Sequence, residues 1–149
     1  MIALLQRVSE AWVEVDAERV AEIGAGLLVL LGIEQRDSTH EANRLLERVL
    51  GYRVFADTEG RMNLSLADTG GGLLLVPQFT LAADTRKGRR PSFATAAAPQ
   101  EGKRLFEFFS AQAKQRHESV ALGRFGADMR VGLVNDGPVT FCLQVAPGG

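Results

Sequence analysis

Hydrophobic and polar positions change period several times along the chain. Met1 to Val8 is almost wholly apolar, with Gln6 and Arg7 near its end. Val13, Val15 and Val20 flank the polar stretch Asp16-Ala17-Glu18, which predicts a hairpin. Leu27-Leu28-Val29-Leu30-Leu31 follows Gly24-Ala25-Gly26, and a short apolar run bounded by glycines predicts a strand buried on both faces. The period then becomes helical. Ala42, Leu45, Leu46, Val49 and Leu50 form one apolar stripe. Ser38 with Glu41 three residues on predicts a capping box, and Gly51 a stop. Tyr52 to Phe55 reads as a strand and Asp57-Thr58-Glu59-Gly60 as a turn.

Gly70-Gly71-Gly72 precedes Leu73-Leu74-Leu75-Val76. The triplet reads as a plain turn, because the strand follows it and no G-x-x-x-x-G-K-[ST] is present. Pro99 predicts the start of a second helix, with Leu105, Phe106, Phe109 and Ala113 as its stripe and Phe108 widening it. Met129, Val131 and Leu133 alternate, as do Val139, Phe141, Leu143 and Val145. Asn135-Asp136-Gly137-Pro138 lies between them, so an antiparallel hairpin is expected there. The sum is an α+β (mixed α/β) fold: strand-rich, with an antiparallel or mixed sheet and about two main helices. A length of 149 residues fits one domain over 1–149.

Composition narrows the function classes. Hydrophobic residues make up 46% of the chain, enough for a core without disulfides or a structural metal. Cys142 is the one cysteine and is expected to be a buried, unreactive thiol in a strand. No signal-peptide pattern opens the chain, and its longest apolar run, Leu27 to Ile33, is too short to span a membrane. A cytoplasmic protein with no membrane association is expected. The net charge of −1 removes the signature of a nucleic-acid coat protein. His40 and His117 sit on predicted polar helical or helix-end positions, and no ligand spacing suggests a metal site. No G-x-S-x-G elbow or dinucleotide fingerprint is present either. No cofactor is expected, and any catalysis must draw on backbone N–H groups, small hydroxyls or the substrate.

Two segments carry candidate chemistry. In Val76-Pro77-Gln78-Phe79-Thr80-Leu81, Gln78 and Thr80 share one phase of a strand, and Pro77 marks an edge, a bulge or the strand's end. Read alone, this is either a solvated edge or a strand end presenting Gln78 and Thr80 to a ligand. In Asn135-Asp136-Gly137-Pro138-Val139-Thr140, Gly137 permits backbone geometry that other residues resist, and Pro138 follows it. Read alone, that is a turn.

Together the segments resemble the D-aminoacyl-tRNA deacylase family along nearly the whole chain. Pro77-Gln78-Phe79-Thr80-Leu81 matches the motif S-Q-F-T-L except at its first residue. Asn135 to Thr140 matches N-x-G-P-V-T in full. Met1 to Val8, Gly51 to Phe55, Met62-Asn63-Leu64, Arg90-Pro91-Ser92-Phe93 and Gly123-Arg124-Phe125 are similar to the family as well. The resemblance implies a homodimeric esterase that cleaves a D-amino acid from the terminal ribose of tRNA, a proofreading step in translation. It implies glycyl-tRNA, glycine mischarged on tRNA(Ala), as a second substrate. The catalytic role falls on Gln78, Phe79 and Thr80. A cis Gly-Pro peptide, here Gly137-Pro138, would reach into the partner's pocket and reject L-amino acids. Arg7 resembles the arginine that holds this loop, and Pro77, Asn135, Val139 and Thr140 are supporting residues. The adjacent ribose hydroxyl is implied to help activate water. Neither histidine is an obvious base for Thr80, which favours a positioning role for its hydroxyl over the alternative of direct attack.

The family's usual Ser is Pro77 here, which removes a hydroxyl and an N–H. Two alternatives follow: a non-catalytic tRNA-binding module of the same fold, and a deacylase of relaxed chirality. A structural dimer with no RNA partner is a third. Charge is uneven. Residues 1–50 hold 5 basic and 9 acidic side chains, and residues 51–149 hold 12 and 9. Arg86, Lys87, Arg89 and Arg90 cluster after the first motif and are candidates for phosphate contacts at the tRNA acceptor end.

Overall fold

A computed structural model describes residues 1–148. Its backbone is β1 (Ile2–Val15), β2 (Glu18–Ile23), β3 (Gly26–Gly32), α1 (Thr39–Gly51), β4 (Phe55–Ala56), β5 (Met62–Leu64), α2 (Leu66–Thr69), β6 (Gly72–Pro77), α3 (Pro99–Arg116), β7 (Val120–Leu122) and β8 (Arg130–Gln144). A 3-10 turn, Phe79–Ala82, follows β6. The main sheet runs β2-β1-β3-β6-β7, with β8 paired to β1, and β4 and β5 form a small separate ribbon. β3, β6 and β7 are mutually parallel, while β1 is antiparallel to β2, β3 and β8.

Local chemistry explains the early elements. β1 and β2 join through Asp16 and Ala17, both at positive φ, so the two-residue loop matches the twist of the flanking strands. Ser38 caps α1: its N–H donates to Glu41 Oε2 at 2.7 Å and its hydroxyl accepts from His40 N–H. The Glu41 carboxyl is held down to about pKa 2, first by the Ser38 hydroxyl and then by the Gly148 N–H. Ala42, Leu45, Leu46, Val49 and Leu50 are all buried, as their spacing predicts.

The sheet separates two cores. On one face Leu27, Val29, Leu31, Leu73 and Leu75 meet the apolar stripes of α1 and α3. On the other, Leu28, Leu74 and Val76 meet Val8, Ala11, Val13 and Ile23, with Met129, Val131 and Leu133 packed alongside. β3 is therefore buried on both faces, as expected of a parallel strand. β1 serves both cores in turn. Ala3 and Leu5 face the helices, whereas Val8, Ala11 and Val13 face the second core. The Met1 ammonium is buried against Asp37 at 2.9 Å and the Val145 carbonyl at 2.8 Å. Burial is the main influence on the Asp37 carboxyl and raises its pKa, against the pull of that ammonium.

Four sequence expectations are corrected. Residues 129–145 do not form a hairpin. Both alternating stretches belong to one strand, β8, and both lie along β1. A turn cluster between two period-two runs permits either arrangement, and β1 is long enough to pair with both. Second, Tyr52 to Val54 is not a strand: only Phe55 and Ala56 pair, with β5, because the Val54 carbonyl is taken by the Arg7 side chain. Third, the chain leaves the sheet at Pro77, so Gln78 and Thr80 share no strand phase. Fourth, Cys142 is exposed. It points away from the phase that buries Leu143 and Val145, and neither core extends to that side.

Candidate active site

Pro77 ends β6 where the ladder to β3 closes. Leu31 lies opposite it, and the Gln78 N–H donates to the Leu31 carbonyl at 2.8 Å. The turn that follows is seated on Gly32. A Cβ there would stand 2.8 Å from Leu81 Cβ and 3.3 Å from the Gln78 carbonyl oxygen, so only glycine lets the turn pack this low. The first bond of the turn runs from the Leu81 N–H to the Gln78 carbonyl at 3.2 Å. The N–H groups of Phe79 and Thr80 precede it and therefore have no acceptor inside the turn. Gln78 Nε2 donates to Thr80 Oγ1 at 2.5 Å. An amide cannot take the hydroxyl proton, so this contact orients Thr80 and does not activate it.

Pro77, Gln78 and Phe79 line one side of a cavity of about 450 Å³. Its other walls are Phe125, Met129 and the start of α3, where Gly102 admits the Phe125 ring. Most of the lining is apolar, as in pockets that hold small organic ligands. Among the described residues no three His, Cys, Asp or Glu side chains converge to hold a metal ion. His117, expected at a polar position, is buried at the end of α3 with its Nε2 2.6 Å from the Gly71 carbonyl.

The second motif is a bulge in β8. Gln6 pairs with Thr140 and Val8 with Asn135, so Asp136 to Val139 stand opposite Arg7 alone. The Gly137-Pro138 peptide is cis, and both residues are exposed. Gly137 has φ +137°, and a Cβ on it would meet Val139 Cγ2 at 2.7 Å. Two side chains hold the bulge. Arg7 donates through Nε to the Asp136 carbonyl at 2.9 Å and through Nη1 to the Val54 carbonyl at 2.7 Å. Asn135 bridges the neck, accepting from the Val139 N–H at 2.7 Å and donating to Thr140 Oγ1 at 2.9 Å.

The two motifs do not meet within one chain. Arg7 pairs with Leu27 and Leu27 with Leu73, whereas Pro77 lies four residues further along, opposite Leu31. Residue rises of about 3.3 Å and strand spacings of about 4.8 Å put the bulge about 20 Å from Pro77. Gly137 and Pro138 are not among the cavity's walls.

The four basic residues occupy the loop between the 3-10 turn and α3. Asp84 and Ser92 close its neck with two backbone bonds, of 2.7 and 3.1 Å. Arg86 is bound by Asp84 at 2.8 Å, which holds that carboxyl down to about pKa 2. Sequence reasoning missed α2, although Ser65 and Asp68 form its capping box, and it missed the pairing of Phe79 with Phe93, which lie 5.2 Å apart.

Comparison with known proteins completes the picture. The family model described as D-Tyr-tRNA(Tyr) deacylase matches residues 4–144, and the chain belongs to that family. A D-aminoacyl-tRNA deacylase of Nitrosococcus oceani is 63% identical over 99% of this chain and 95% of its own length. One from Thioalkalivibrio sulfidiphilus is 64% identical over 99% of both. A solved structure of a c-Myc DNA unwinding element binding protein is 36% identical with a TM-score of 0.95, covering 98% of this chain and 99% of its own. A probable eukaryotic D-amino acid tRNA deacylase shares the fold at TM-score 0.83 and 19% identity, covering 97% and 98%.

Proposed function

We propose that this chain hydrolyses the ester between a D-amino acid and the terminal ribose of tRNA. The observation that carries this reading is the 3-10 turn: two N–H groups without acceptors in the turn, at the rim of an apolar cavity. Ester hydrolysis passes through a tetrahedral oxyanion, and paired backbone donors stabilise it, each worth about 10²–10³ in rate. Water is the nucleophile. Thr80, held by Gln78, positions the ester, and the vicinal ribose hydroxyl of the substrate assists the attack. The cavity takes the terminal nucleoside and its aminoacyl group.

The enzyme acts as a homodimer in which Gly137-Pro138 of one protomer enters the other's cavity. The separation of about 20 Å between bulge and cavity within one chain supports this, as do the exposure of both residues and their two-point anchorage by Arg7 and Asn135. There the loop blocks the side chain of an L-amino acid and admits a D-residue. Glycine has no side chain to block, so glycyl-tRNA formed on tRNA(Ala) is a second substrate. The activity is chiral proofreading in the cytoplasm. Lys87, Arg89 and Arg90, with Arg86 partly neutralised by Asp84, contact phosphates of the acceptor end.

The relaxed-chirality alternative would need Pro77 to disturb the site. The Leu73 N–H points to the Ser119 carbonyl, on the β7 side of β6, so position 77 in the same phase faces beyond the end of β7 at Leu122. Proline there costs no bond to β3. The test is deacylation of purified D-Tyr-tRNA and L-Tyr-tRNA at equal concentration. Rapid release of D-tyrosine and intact L-Tyr-tRNA are expected. Equal release of both enantiomers refutes the filter, and binding without turnover of either favours the module without catalysis.

A further inference from the structure

We propose that the Phe79–Phe93 ring pair is a stacking platform for the nucleotide that precedes the terminal adenosine, and that the adjoining basic loop holds its phosphates. This rests on the reading that an aminoacyl-tRNA end occupies the cavity.

The two rings are 60% and 44% exposed although their centroids lie only 5.2 Å apart, an unusual setting for a phenylalanine pair. Their place in the fold gives them a use. Phe79 lines the cavity rim, while Phe93 lies just beyond the neck of the basic loop. The platform therefore stands between the ester site and the cations. It is also held firmly: Thr95 donates through its hydroxyl to the Ala82 carbonyl at 2.5 Å, and the Thr95 carbonyl accepts from the Gln35 N–H at 3.0 Å. Asp84 and Ser92 pin the loop on the other side.

An aromatic surface beside clustered cations fits one ligand chemistry, single-stranded nucleic acid. Unpaired bases offer their faces to rings, and the backbone between them offers phosphates. A duplex keeps its base faces covered and would use only the cations. With Arg86 engaged by Asp84, Lys87, Arg89 and Arg90 are the cations left for phosphates. A three-phosphate contact to a single strand gives a slope of about −2 in log affinity against log salt.

Steady-state deacylation is measured on two esters, D-tyrosyl-tRNA and D-tyrosyl-adenosine, which has no preceding nucleotide. Phe93→Ala should raise KM for the tRNA ester about tenfold with kcat unchanged, and leave the adenosine ester unaffected. Phe93→Tyr should restore the tRNA value, while Phe93→Leu, bulky but without a ring face, should not. A second readout needs no turnover. A short RNA with 2-aminopurine next to its 3′ adenosine should be quenched by the wild-type protein and not by Phe93→Ala. Equal effects on both esters, rescue by leucine, or no quenching by the wild type would overturn the platform. So would a fall to monomer in sedimentation of Phe93→Ala, which would make the rings an interface between copies. If neither ester is cleaved but quenching is lost in Phe93→Ala, the platform stands and the deacylase reading fails.

Discussion

The two motif segments are built on opposite principles. The Phe79–Ala82 turn holds itself by backbone bonds and by resting on Gly32, so its geometry is a property of the main chain. The bulge at Asp136 to Val139 has no ladder bonds of its own. Its shape depends on Arg7 and Asn135, two side chains reaching in from its margins. A group that stabilises charge in a transition state gains most from a framework that cannot relax, and backbone provides that. A group that sorts ligands by shape needs only to stand in one place, and side-chain bonds suffice.

This contrast is open to attack by substitution. The largest effect is expected at Gly32. Gly32→Ala pushes Leu81 and the Gln78 carbonyl away and tilts both donors, so kcat for D-Tyr-tRNA should fall about a hundredfold or more while circular dichroism stays native. A fall confined to KM would show that the turn binds rather than catalyses. Next comes Arg7→Ala, which removes charge-assisted bonds to two carbonyls, worth about 1.5–3 kcal/mol each. It should release L-Tyr-tRNA hydrolysis about tenfold or more while D-Tyr-tRNA turnover changes little. Selective loss of the D-activity would place Arg7 in the chemistry instead. Asn135→Ala should do the same more weakly, since its bonds are neutral and worth about 1 kcal/mol each.

Thr80→Ala should retain measurable activity, reduced several-fold, because its hydroxyl faces an amide and not a base. Complete loss with native circular dichroism would assign it as the nucleophile. The smallest effect belongs to a control far from both motifs. The Glu41 carboxyl titrates at about 2 in the folded chain, below its usual value, so the unfolded chain binds more protons between about pH 5 and 2. Stability therefore falls as pH drops through that window. Glu41→Gln should flatten this acid slope in thermal melts at several pH values, and move neither the D-rate nor the D/L ratio at neutral pH.

Legibility in the sequence followed the range of the interactions. The Ser38–Glu41 box, the stripe of α1, the burial of β3 on both faces and the start of α3 at Pro99 all rest on neighbours within a few residues or on simple periodicity. Both motifs were visible as residue types in order. Their shapes were not. Alternation at Gln78 and Thr80 looks the same in a strand and in a 3-10 turn, and the departure from the sheet depends on packing against Gly32 across two strands. The bulge resembled a hairpin because nothing local reveals that β1 extends far enough to hold both halves of β8. Cys142 shows the same limit: its phase was readable, but not that neither core covers that face of β8.

The register of β8 carries one more consequence. From Arg130 to Val134 the paired residues of β8 and β1 have numbers summing to 144, the Asn135–Val8 pair next to the bulge sums to 143, and from Thr140 to Gln144 the sum is 146. The extra residues of β8 and the single extra Ser9 of β1 differ by two. Side chains on either side of the break keep their partners while both strands change from one core to the other. The side each β8 residue faces is fixed by its partner on β1, so the unpaired residues Asp136 to Val139 can differ in number while Val131, Leu133, Leu143 and Val145 keep their places. The exposed bulge is thus also the crossover at which two strands exchange interiors.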